Sequence, residues 1–162
     1  MKNYLSGSLK VFTDYSIMLL LFIVFLLVGI NHLAIYTSVV LLLGLFILYS
    51  DFNSIALKER KPGNNIVNYP LKGFVLGFAG FSPIIVIALL LYIIDFGSAT
   101  NNQIKMAILK VITGPIFGFL TTNLILLLIV PIVVGASYMT GYYGIGKPKF
   151  LIAKPKKKVV RK

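Results

Sequence analysis

The chain has 162 residues, 58% of them hydrophobic and only 12% charged, with a formal net charge of +12. A soluble domain carries roughly 25% charged residues, so a mean hydropathy of +0.93 excludes an ordinary water-exposed fold and makes lipid the solvent for much of this chain. Cysteine is absent and His32 is the single histidine, which excludes disulfides, thiolate chemistry and a zinc site built from several His or Cys ligands.

Residues 1–15, MKNYLSGSLKVFTDY, place Leu5, Leu9 and Phe12 at i, i+4 and i+7, the spacing of one helical face. This predicts a short helix lying along the membrane surface. Ser16 to Ser50 is almost uninterrupted apolar sequence. One helix of that length would reach roughly 52 Å, against a hydrocarbon core of about 30 Å. The polar punctuation Gly29-Ile30-Asn31-His32 therefore divides it into spans over 13–30 and 33–50. No small-x-small cleavage site follows the first run, so it is read as a retained span. The second helix is expected to continue past residue 50, because 51–61 lack Gly and Pro until Pro62-Gly63. Lys58, Arg60 and Lys61 then fall in its last turn, where cations complement the negative end of the helix dipole.

Span 3 is predicted over 70–95, opening on Pro70, with Lys72 extending its ammonium among the headgroups. Pro83 is expected to kink it. Gly97 to Asn102 reads as a polar turn. Residues 103–113 then read as a short interfacial helix with an Asn cap, its apolar stripe made by Ile104, Ala107, Ile108, Val111 and Ile112. Gly114-Pro115 is expected to break the chain there and open span 4 over 115–140, with Pro131 inside it. The division is thus a membrane domain over 1–140 and a basic tail over 141–162, GYYGIGKPKFLIAKPKKKVVRK.

Fourteen of the 16 Lys and Arg residues lie in the N-terminal segment, the 51–72 segment and the tail; Lys105 and Lys110 are the others. Positive charge is retained in the cytoplasm, so both termini are expected inside. Tyr15, Tyr49, Tyr69, Tyr92 and Tyr138 fall near predicted span ends, as an aromatic belt requires. The expected fold class is an all-α membrane protein of four transmembrane helices, with short interfacial helices, in the cytoplasmic membrane of a bacterium.

Few residues offer chemistry. Asp14, Asp51 and Asp95 fall near span ends, Asp14 in an i, i+4 pair with Lys10. Asp95 and His32 share a predicted side of the membrane. No phosphate-binding loop, nucleophile elbow or H-E-x-x-H motif occurs, so neither enzymatic activity nor a cofactor or metal is expected. Gly73, Gly77 and Gly80, with Gly114 and Gly118, have the small-residue spacing that lets helix backbones approach closely. Thr121, Thr122 and Asn123 place polar groups inside span 4; an amide in hydrocarbon needs partners, with Ser82, Thr37 and Ser38 as candidates. Lys147, Lys149, Lys154, Lys156, Lys157, Lys158, Arg161 and Lys162 form a polybasic tail suited to anionic lipid, whereas nucleic acid is not the expected partner.

Two functions are compatible with this reading. The first is a non-enzymatic accessory or scaffold subunit, working through helix packing and anionic-lipid contact, with a membrane-protein partner or a second copy. The alternative is a transporter or channel component with a polar midplane site around Asn123.

Overall fold

A computed structural model describes residues 2–28, 33–60, 69–94, 97–117 and 124–145. Every element among them is helical: α1 (Lys2–Val28), α2 (Leu33–Glu59), α3 (Lys72–Ile93), α4 (Ala99–Phe117), a short 3₁₀ helix (Leu124–Leu128) and α5 (Ile129–Tyr143). Four helices are long and apolar enough to cross a membrane, over Tyr4–Phe25, Ile35–Glu59, Lys72–Ile93 and Leu126–Tyr143. The protein is thus a small all-α, multi-pass membrane protein. Only 28% to 44% of these four segments is buried inside the bundle. The remainder includes Leu20, Leu42, Phe46 and Ile93, all more than 60% exposed, a surface stable only against hydrocarbon.

The spans close into a ring in which α1 packs on α2, α2 on α5, α5 on α3 and α3 on α1. The inward stripe of α1 is Gly7, Val11, Asp14, Tyr15, Met18 and Phe22; that of α2 is Thr37, Val40, Gly44, Leu48, Phe52, Ala56 and Glu59. Both follow helical spacing, and both mix small and polar residues with apolar ones.

Residues 1–15 do not form a separate surface helix. Lys2 to Val28 is one helix, and Leu5, Leu9 and Phe12 are its lipid-facing side, 66%, 55% and 41% exposed. The stripe was real but faces outward, because its opposite side carries Gly7, Val11 and Asp14 into the bundle. α2 reaches Glu59, and α3 starts at Lys72 after a turn in which the Lys72 N–H donates to the Tyr69 carbonyl (3.0 Å).

α3 continues unbroken through Pro83. Proline removes the bond that the Ala79 carbonyl would otherwise accept. The Ser82 hydroxyl donates to that same carbonyl (2.9 Å), which keeps it satisfied in hydrocarbon. Gly97 takes a left-handed φ of 73° between α3 and α4. Ser98 then caps α4, accepting from the Asn101 N–H (3.2 Å), so the cap is a serine and not an asparagine.

α4 also departs from expectation, since it runs through Gly114-Pro115 to Phe117. Its packed residues are Leu109, Thr113, Gly114 and Ile116, while Ile104 and Ile108 are exposed. The second half of α4 thus lies inside the bundle, against α1, α2 and α3. A Cβ at Gly114 would run into the Phe22 ring, and the Ile112 carbonyl accepts from the Tyr15 hydroxyl (2.8 Å). Tertiary contact therefore overrides the local breaker. Pro131 sits in the first turn of α5, directly after the 3₁₀ helix, where the hydrogen-bond ladder changes from one helix type to the other. α5 ends on Gly144, whose φ of 68° lets its own N–H and that of Ile145 cap the last turn.

Candidate functional site

The most unusual chemistry lies where α2 ends and α3 begins. Glu59 and Lys72 stand 13 residues apart and meet inside the bundle. The Lys72 ammonium donates to both carboxylate oxygens of Glu59 at 2.8 Å. The lysine side chain is 0% exposed and that of Glu59 9%. Tyr138 of α5 donates its hydroxyl to Glu59 Oε2 at 2.5 Å, within the range of a short charge-assisted bond. The Tyr4 ring of α1 lies below the ammonium, its centroid 5.0 Å from Nζ. One cluster therefore draws on all four spans and pins the same end of each.

This corrects the placement of Lys72 among headgroups. The ammonium turns inward because a carboxylate waits there. Each charge also sits at the unfavourable end of its own helix: Glu59 closes α2, where the dipole is negative, and Lys72 opens α3, where it is positive. The pair cancels both penalties. Tyr69, in the turn before α3, is held above an ordinary phenol pKa by a hydrogen bond shared with Tyr4. Tyr138, read from sequence as part of an aromatic belt, is fully buried, as is Tyr15, whose ring meets Phe81 edge-on at 4.7 Å. Tyr92 is exposed near the end of its span, whereas Tyr49, also exposed, lies ten residues inside the end of the Ile35–Glu59 span.

A second polar seam joins α2 to α5. Asn53 Nδ2 donates to Thr140 Oγ1 (3.1 Å), Thr140 donates to the Ser137 carbonyl (2.8 Å), and the Ser137 hydroxyl donates to the Tyr49 carbonyl (2.5 Å). A Cβ on Gly141 would stand 2.5 Å from the Asn53 carbonyl oxygen, so the backbones are already in close approach. A third group, Lys10 with Asp14 and Asp51, links α1 to α2 through contacts of 3.0 and 2.8 Å. The Lys10–Asp14 pair is joined by a second acid, and Asp14 lies deeper than a span end: it is fully buried.

The glycine face of α3 is occupied from within the chain. A Cβ at Gly77 would stand 2.9 Å from Pro131 Cα, one at Gly73 would meet Tyr138, and one at Gly80 would run into the Ser8 carbonyl and Val11. Gly73 and Gly77 thus serve the α3–α5 contact and Gly80 the α3–α1 contact. Ser82 is exposed and bonded to its own helix, so its hydroxyl does not reach across to another span. Gly118, Thr121, Thr122, Asn123, His32, Asp95 and the eight tail cations from Lys147 to Lys162 lie outside the described residues. Among those described, no three His, Cys, Asp or Glu side chains gather as a metal site would require.

Sequence reasoning passed over Glu59, the one glutamate in the chain. Two signals pointed to it. It lies three residues after Ala56 and seven after Phe52, on the inward stripe of α2, and Lys72 directly precedes the glycine stripe of α3. No protein-family model matches the chain, and neither a curated protein nor a solved structure matches it.

Proposed function

We propose that the protein is a non-enzymatic accessory or scaffold component of a bacterial cytoplasmic membrane, with both termini cytoplasmic, whose basic end engages anionic lipid headgroups. One observation carries this reading: the Tyr4–Lys72–Glu59–Tyr138 contacts gather the start of α1, the end of α2, the start of α3 and the end of α5 at one end of the bundle. The segments leading from these ends hold fourteen of the 16 cations. Retention of positive charge in the cytoplasm supports the orientation. Lysine clusters beside an anionic leaflet gain about 1 kcal/mol per charge. Because the glycine face is filled internally, a protein partner or second copy would meet the lipid-facing sides instead.

The full chain is expected to retain anionic phospholipid over zwitterionic phosphatidylcholine by about tenfold or more. Native mass spectrometry from a mixed-lipid detergent extract measures this. Removing residues 146–162, or raising the salt, should abolish most of the preference. Equal retention of both lipids by the full chain would reject the reading.

A further inference from the structure

Asp14 is a buried carboxylate with an incomplete set of partners. Its side chain is 1% exposed. The Lys10 ammonium comes within 3.0 Å of Oδ1, but off the direction a hydrogen bond needs, and neither carboxylate oxygen accepts a hydrogen bond from any described residue. The same ammonium lies 2.8 Å from Oδ2 of Asp51 on α2. One ammonium in contact with both thus brings the two carboxylates close together. That approach is unfavourable for two ionised acids in apolar surroundings.

One lysine between two carboxylates leaves the cluster one positive charge short. Among the described residues of α3, α4 and α5, none supplies it. Lys72 of α3 is held by Glu59, and Lys105 of α4 donates to the Ile94 carbonyl at the other end of the bundle (2.6 Å). Lys110 of α4 lines a separate crevice with Asn102 and Gln103. α5 has no charged residue, and its Tyr138 hydroxyl is given to Glu59. Glu59 of α2 is taken by Lys72 and Tyr138.

We propose that Asp14 and Asp51 share one proton, the carboxyl of one donating to the carboxylate of the other, so that the Lys10–Asp14–Asp51 cluster is a proton-binding site between α1 and α2. Uptake adds one proton from solvent, breaks no bond, and brings the cluster from one negative charge to neutrality. A crevice of about 460 Å³ between the two helices, with Ser6, Thr13, Ile55 and Glu59 in its wall, reaches Lys10 of the cluster. Lys10, with 43% of its side chain exposed, both lines that crevice and touches Asp14.

Infrared spectroscopy of the full chain in lipid nanodiscs tests this. The chain has only four acidic side chains, so a protonated-carboxyl stretch is assignable. At neutral pH the wild type should show that band, and it should move to lower frequency in D₂O. It should vanish in Asp14→Asn. It should also vanish in Asp51→Asn, because Lys10 and Asp14 then form a neutral pair. Asp95→Asn should leave it in place. A wild type without the band overturns the proposal, whether both acids are ionised or an alkali cation lies between them. Survival of the band in either Asp14→Asn or Asp51→Asn also overturns it. The wild-type spectrum decides even if a variant fails to fold.

Discussion

Replacing Lys72 with Met is expected to destabilise the bundle by about 3–5 kcal/mol, the usual consequence of removing one partner from a buried ion pair. Lys72→Met preserves most of the stem volume but leaves the Glu59 carboxylate at the negative end of α2 with its counter-ion gone. Tyr138 still donates to it, and one neutral donor does not replace an ammonium bonded to both oxygens. Glu59→Gln should cost a similar amount by stranding the ammonium. The double variant should be less damaging than the sum of the two, because it removes both charges from an apolar site. Tyr138→Phe, which deletes one bond to a charged group, should cost about 1.5–3 kcal/mol. Equilibrium unfolding in mixed micelles measures all four. A Lys72→Met variant as stable as wild type would mean that the ammonium reaches the headgroups after all.

Enlarging Gly80 is expected to have an effect of comparable size by a different route. A side chain there meets the Ser8 carbonyl and Val11 Cβ of α1. The obstacle includes backbone, which cannot rotate aside as a side-chain tip can. Gly80→Leu should therefore force α1 and α3 apart, at about 3 kcal/mol or more, and Gly80→Ala should already be measurable. Spans in lipid are held by close packing, not by expulsion of water, so a lost approach is not recovered elsewhere. Gly97→Ala is the informative contrast. No described residue beyond its chain neighbours lies within 4 Å of a Cβ added there, so its penalty comes from the left-handed backbone, about 1 kcal/mol. If Gly80→Leu unfolds no more readily than Gly97→Ala, the α1–α3 contact is looser than described.

The helical class and the number of spans were legible because hydropathy reports them directly. Which face of each helix points inward was not. In water an apolar stripe marks the core, but in lipid both faces are apolar, and so Leu5, Leu9 and Phe12 were assigned the wrong neighbour. The inward faces are marked instead by small and polar residues: Gly7 and Asp14 on α1, Gly44 and Glu59 on α2, Gly73, Gly77 and Gly80 on α3. The glycine spacing was read as a packing signal, yet spacing carries no information about which helix fills it. Lys72 was misplaced because a lysine at a span end can snorkel or turn inward. The choice depends on a carboxylate 13 residues back in the chain. Gly114-Pro115 was read as a break because its local chemistry favours one; Phe22 and Tyr15, on a distant helix, decide otherwise.

The absence of cysteine makes the central claim directly testable, since any cysteine introduced is the only one in the chain. Single cysteines at Asn65, Asn101 and Lys158, in cells treated with a membrane-impermeant maleimide, sample the α2–α3 connection, the start of α4 and the tail. Residues 65 and 158 should be labelled only after the membrane is opened, and residue 101 in intact cells. Labelling of 65 and 158 from opposite sides would contradict the four-span arrangement with its charged ends together.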